Sequence, residues 1–171
     1  MTAETLGPAQ IAALLVLVQR GLEELYSRRN TRALLARGAV EAARDYYPVV
    51  VAIHLAWIAS VFFFIPSDAA IIWPLLALYL LLQAARYWII ATLGGYWTHR
   101  ILTMENAPTV KTGPYRWIRH PNYAVAFLES LLLPWIFGAF ALGVIMATAN
   151  GAMLYYKIVL EDAALVARRS I

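Results

Sequence analysis

The sequence predicts an all-α membrane protein of five transmembrane helices carrying one long polar loop on the cytoplasmic side. Three observations predict it. Of 171 residues, 62% are apolar and only 14% charged, against roughly 25% charged in a soluble domain. Five stretches are long and apolar enough to approach the ~20 residues that cross a bilayer. Finally, all fourteen Lys and Arg sort to one side if those five stretches span, which is the asymmetry of cytoplasmic loops.

The spans are expected at about 8–26, 48–65, 69–90, 121–137 and 140–160. Pro8 suits an early helical position and Pro66 ends the second span. The last two form a hairpin turning near Gly138, because the apolar run from Asn122 to Leu160 is about twice a membrane thickness. Arg28, Arg29, Arg32, Arg37 and Arg44 follow the first span; Arg100, Lys111, Arg116 and Arg119 follow the third. Lys157, Arg168 and Arg169 end the chain, while Arg20 and Arg86 can snorkel to the same side. Glu4 and Asp68 are the only charges opposite. The amino terminus is therefore expected outside and the carboxyl terminus in the cytoplasm. The stretch Ser27–Asp45 mixes arginines with Leu34, Leu35 and Val40, as an amphipathic helix on the membrane surface would, or a plain solvated connector.

Composition also excludes. Cysteine is absent, so disulfides, thiolate chemistry and Cys-ligated metals are out. A net charge of +4 in so apolar a chain reads as basic loops facing anionic headgroups, not nucleic-acid binding. Met1–Gln10 lack the basic start and small-residue site of a cleaved signal peptide. The three histidines are too dispersed for a metal site, and none is expected.

The loop at about 92–120 differs from its surroundings. It holds Gly94, Gly95, His99, Arg100, Glu105, Asn106, Pro108, Lys111, Gly113, Pro114, Arg116, Arg119 and His120. Nearly thirty residues are spent where a few would link two helices, and long polar loops on a rigid scaffold are where function collects. By composition it is a site for something anionic or zwitterionic.

Within it runs Thr112-Gly-Pro-Tyr-Arg-Trp-Ile-Arg-His-Pro-Asn-Tyr123. This string closely resembles the signature GPYRxxRHPxY of the isoprenylcysteine carboxyl methyltransferase family and of related phospholipid methyltransferases. Lys157-Ile-Val-Leu-Glu161-Asp162-Ala-Ala-Leu165 resembles the family's RxxxEExxL element, with Lys for Arg and Asp for the second Glu. Where the family usually carries Gly beyond RHPxY, this chain has Ala124-Val125. The resemblance implies a membrane methyltransferase whose cofactor, S-adenosylmethionine, sits against the RHPNY segment and the last helix. Short bacterial relatives similar in the YYPVVVAIH and APTVKTGPYR stretches are associated with phenolic lipids. That implies a bacterial inner membrane and a lipophilic acceptor, preferably a phenolic-lipid hydroxyl, ahead of a prenylated-thiol carboxylate or a phospholipid amine. Sterol-type membrane reductases using NADPH share an RHPNY-like segment and form the competing reading.

The residue chemistry runs parallel. His120 and Tyr123, three apart on one helical face, can both donate to a carboxylate. Arg119 can add a charge-assisted bond, or simply snorkel to phosphate, as can Arg116. Pro121 and Asn122 open a helix whose N-terminus favours anions. Tyr115 belongs to the same string, and Glu161 suits an ammonium or a ribose hydroxyl. Glu129, two turns into an apolar helix, is expensive there; it is either a general base or a structural partner of Arg86 or His54. His54 is either a second polar group facing the site or an interhelical hydrogen-bonder. The candidate catalytic residues are thus Glu129, His54 and Arg119; the candidate cofactor-binding residues are His120, Tyr123, Pro121, Asn122, Tyr115 and Glu161.

Overall fold

The computed structural model of the protein describes residues 6–105, 107 and 110–169, with side chains to residue 164. Glu4, Asn106 and Pro108, and the side chains of Leu165, Arg168 and Arg169, lie outside that range. Among the described residues there are five α-helices: α1 (Pro8–Ala36), α2 (Tyr46–Phe64), α3 (Trp73–Leu93), α4 (Pro121–Trp135) and α5 (Phe140–Arg169). Three segments are long and apolar enough to cross a membrane: Tyr46–Phe64, Trp73–Tyr96 and Phe140–Ala164. The protein is an integral membrane protein on these helices.

Two of the five expected spans fall short by length or composition, for different reasons. α4 has only 15 residues, about 22 Å at 1.5 Å each, against an apolar core of about 30 Å. α1 has length to spare at 29 residues, but Arg20, Glu23 and Glu24 interrupt its apolar half. α1 also absorbs most of the stretch read as a separate surface helix. No breaker stands between Tyr26 and Ala36, so the helix runs on until Arg37-Gly38, where Gly38 has φ +89°.

The all-α expectation needs a second correction. Val40–Ala42 (β1) pairs antiparallel with Ile101–Thr103 (β2), Glu41 opposite Leu102. Three-residue strands with mixed polarity give no readable alternation. The long loop is also partly ordered into two short 3-10 turns, Gly94–Tyr96 and Gly113–Arg116.

The bundle is stitched by small and polar side chains, as helices in lipid require. Ala9, Ala13 and Val16 of α1 pack with Trp57, Ile58 and Val61 of α2, Tyr79 of α3, Leu132 and Leu133 of α4, and Ile136 just past it. Gln10 donates Nε2 to the Phe62 and Ile65 carbonyls (3.0 and 2.8 Å), closing the open end of α2. The α4–α5 hairpin turns where expected: Gly138, at φ +76°, occupies the left-handed position that ends α4. Asn150 donates across the hairpin to the Ala126 carbonyl (3.0 Å) and Ser130 Oγ (3.2 Å). Such an interhelical bond contributes about 0.6 kcal/mol on average.

Candidate functional site

At the end of the bundle that carries the loop, the described residues enclose a cavity of about 460 Å³. One wall is the start of α4: Arg119, His120, Asn122 and Tyr123. A second is α5, through Lys157 and Glu161. The third runs from Tyr96 through Trp97 and Thr98 to Arg100, and Tyr115 and Leu34 also contribute. Residues from four parts of the sequence therefore converge, and the GPYR turn is what brings Tyr115 there. Its Gly113 sits at φ +55°, and a Cβ at that position would lie 2.6 Å from Thr92 Oγ1 on α3. A Gly113→Ala protein is expected to lose about 1–3 kcal/mol through backbone strain and that clash, measured by denaturant unfolding in lipid-detergent mixtures; wild-type stability would mean the turn tolerates a shift off α3.

The walls are polar and interlocked. The His120 and Tyr123 rings stack in parallel, 5.2 Å between centroids and 5° apart in plane. Tyr123 donates its hydroxyl to Glu161 Oε2 at 2.7 Å, and His120 Nδ1 lies 3.9 Å from the same oxygen. Lys157, 7% exposed, places Nζ 5.1 Å from the centre of the Tyr123 ring and donates to the His99 carbonyl at 3.0 Å. Arg119 is exposed at the rim and pairs with Asp162 at 2.6 Å. Burial pushes the Tyr115 hydroxyl up to about 12, with the Glu161 charge adding to it, so it remains a donor at neutral pH. Burial lowers the pKa of His99, against the hydrogen bond from its Nδ1 to Glu24. Besides Trp97 Nε1, two wall atoms are buried without any partner: His120 Nε2 and Asn122 Oδ1. An unsatisfied buried polar group costs about 1–3 kcal/mol, so both stand ready to take a ligand's hydrogen bonds.

Of the residues singled out from sequence, Tyr115, Arg119, His120, Asn122, Tyr123 and Glu161 line this cavity. Pro121 stands behind it, buried at the first turn of α4. Glu129 and His54 are not among its lining residues. Glu129, 1% exposed, accepts from Gln83 Nε2 (2.8 Å) on one oxygen and from Arg20 (2.8 Å) and Arg86 (3.1 Å) on the other. Arg86 in turn donates Nε and an Nη to the two oxygens of Glu23 at 2.7 and 2.6 Å. Two arginines and two glutamates thus form a neutral buried quartet joining α1, α3 and α4. His54 turns Nδ1 to the Val50 carbonyl (2.9 Å) and its ring to Trp57.

Lys157, Tyr96, Trp97, Arg100 and Leu34 also line the cavity, beyond the candidate catalytic and cofactor-binding residues. Trp97, His99 and Arg100, in the string Tyr-Trp-Thr-His-Arg at 96–100, read from sequence as possible ligand contacts by their charge and aromatic content, and Lys157 stands at the Arg position of the RxxxEExxL-like element. Leu34 gave no signal, since its role depends on α1 continuing past the membrane. Beside the cavity, an apolar groove of about 510 Å³ lies between α2 and α5, lined by Tyr46, Val49, Ile53, Ala149, Met153 and Leu160 among others. Tyr123 faces the cavity and also packs on the cluster of Tyr46, Ala126, Met153 and Leu154, of which Tyr46 and Met153 line this groove, so the two lie on either side of that packing.

These features define a class: a helical membrane protein with a polar, partly unsatisfied cavity at one end and an apolar groove alongside. Residues 75–167 match the family model of the isoprenylcysteine carboxyl methyltransferase (ICMT) family, and the chain belongs to that family of membrane methyltransferases. It is 34% identical over 155 residues to a Bacillus subtilis (strain 168) protein described as uncharacterized protein YpbQ, covering 88% of this chain and 92% of the relative. No solved structure matches it.

Proposed function

We propose that the protein transfers a methyl group from S-adenosylmethionine to a lipophilic acceptor at the cytoplasmic face of a bacterial inner membrane, the acceptor being the hydroxyl of a phenolic lipid. The observation that carries the reading is the pair of buried, unpartnered atoms His120 Nε2 and Asn122 Oδ1 beside the Tyr123–Glu161 hydrogen bond. That donor and acceptor set fits a ligand with a zwitterionic amino-acid end and ribose hydroxyls. His120 would donate to the carboxylate, Asn122 and Glu161 would accept from the ammonium or a hydroxyl, and Tyr96, Trp97 and Tyr115 give flat apolar surface for a purine. When bound, S-adenosylmethionine supplies an electrophilic methyl on a sulfonium.

The chain's own task is then to position the reactants and exclude water. Stacking and hydrogen bonding hold the His120, Tyr123 and Glu161 side chains before anything binds. A hydroxyl acceptor must give up a proton, and the cavity holds two groups able to take it, His120 and Glu161. Glu129, with both oxygens occupied, belongs in this reading to the framework that fixes α4, as does His54. Arg119 at the rim meets the acceptor's head or a lipid phosphate. The apolar groove on the far side of the Tyr123–Tyr46–Met153 packing supports an acceptor with a hydrocarbon tail. The basic residues of α1 beyond Tyr26 and of the loop share the cavity's end of the bundle, which supports a cytoplasmic cavity. With the Arg20–Glu23–Arg86–Glu129 charges neutralised internally, the first half of α1 can lie at membrane depth, which supports five membrane-embedded helices over three.

Titration of the purified protein with S-adenosylmethionine, S-adenosylhomocysteine and NADPH tests the reading. Binding of both sulfur compounds is expected. Binding of NADPH with neither of them would replace the methyltransferase by a reductase. Methyl transfer to prenylcysteine or to phospholipid but not to an alkylated phenol would move the acceptor and leave the rest.

A further inference from the structure

The third wall of the cavity is held in place by α1, which lies outside the segment matched by the family. Glu23, Ser27, Asn30 and Leu34 recur at helical spacing and are all buried. In a chain segment this rich in arginine, buried Ser and Asn call for partners. They find them on the main chain of the wall. Asn30, 6% exposed, donates Nδ2 to the Trp97 carbonyl at 2.8 Å and the Gly94 carbonyl at 3.1 Å. Ser27, 2% exposed, accepts the His99 N–H at 2.8 Å. Glu24 takes the His99 ring at 3.0 Å, and Tyr26 stacks on Trp97 at 5.9 Å. Two consecutive turns of α1, Glu24 to Asn30, thus grip Gly94–His99 at both ends, and Leu34 one turn on is part of the cavity lining.

We infer that Asn30 and Ser27 are positioning residues for the ligand cavity: they touch no ligand themselves but fix the Tyr96–Trp97–Thr98 wall against which it binds. The inference rests on the proposed cavity ligand for its affinity readout. The physical ground is that the Trp97 carbonyl lies past the last helical turn, where no helix supplies a donor, and the Gly94 carbonyl has only the Trp97 N–H of that short turn (3.1 Å). One side-chain amide bonded to both sets the direction in which the chain leaves the helix. Without it the wall is free to take several positions, and a ligand would have to order it on binding.

The test is Asn30→Leu, which keeps the volume and removes the donor, alongside Ser27→Ala and Asn30→Gln, in full-length protein. Asn30→Leu is expected to raise the Kd for S-adenosylhomocysteine at least tenfold and the KM for S-adenosylmethionine in parallel, with kcat at saturation within about threefold. Its Trp emission, after subtraction of a Trp97→Phe background, is expected to shift. Asn30→Gln, which returns a donor, is expected to recover part of the affinity. A folded Asn30→Leu protein with wild-type Kd and emission would overturn the inference. Should Asn30→Leu fail to fold, Ser27→Ala decides: a Kd raised about threefold supports it and an unchanged Kd overturns it. Wild-type protein that binds neither sulfur compound would sink the proposed function instead. The Trp97 emission of Asn30→Leu would then decide the positioning role by itself, a shift supporting it and no shift overturning it.

Discussion

Glu129→Gln protein is expected to lose about 3–5 kcal/mol of stability while its folded fraction keeps cofactor affinity within twofold and most of its turnover. The reason is charge balance. Glu129 receives hydrogen bonds from Arg20, Arg86 and Gln83, and Glu23 takes the remainder of Arg86. Removing one negative charge leaves two arginines with one partner, and an uncompensated buried charge carries a penalty of about that size. Equilibrium unfolding in lipid-detergent mixtures measures it. A double replacement, Arg20→Met with Glu129→Met, removes one charge of each sign and leaves the bidentate Arg86–Glu23 pair. It is expected to recover most of the loss, since a neutral apolar substitute for a buried pair is often tolerated. Wild-type stability with turnover abolished in Glu129→Gln would make the carboxylate a reacting group instead.

His120→Ala protein is expected to bind S-adenosylmethionine at least tenfold more weakly, by about 1.4 kcal/mol or more. Two losses combine. The imidazole Nε2 is a buried donor or acceptor with no partner, and a bond from such a group to a charged ligand is worth roughly 1.5–3 kcal/mol. The ring also stacks on Tyr123, whose hydroxyl bond to Glu161 aligns the opposite wall. Calorimetric titration gives the affinity, and the unfolding midpoint shows whether the protein is otherwise intact. Unchanged affinity would remove His120 from the ligand site. Comparison with Tyr123→Phe separates the two contributions, because that variant keeps the stack and drops only the hydroxyl.

One wall of the cavity and the carboxylate facing it were legible in the sequence. The string Tyr115 to Tyr123 and the carboxylate at 161 stand in the two stretches that resemble the family's motifs, on either side of an apolar hairpin. Three helix ends after Tyr46 were legible because Pro66, Pro121 and Gly138 act over one or two residues, while α3 begins at Trp73 rather than 69 and α5 runs past 160. The extent of α1 was not. Its charges looked like a membrane boundary, and nothing within twenty residues of Arg20 reveals that Glu129, 109 positions on, neutralises it. The β1–β2 pairing was hidden likewise, since its partners stand about sixty residues apart.

Glu129 marks the division. Its cost in an apolar helix is a property of the sequence, as burial of a carboxylate is expensive wherever the helix packs. Whether that cost serves chemistry or cohesion depends on what lies across from it. The sequence by itself determined the membrane setting, the hairpin and the polar loop, because apolar periodicity and turn residues act locally; the resemblance to the family signature marked Tyr115 to Tyr123 and Glu161. Tertiary structure alone decided that two arginines close on Glu129, that α1 rather than the matched segment carries the third wall, and that α4 is short. Those outcomes are long-range pairings, and charge complementarity across the bundle leaves no periodic trace in the chain.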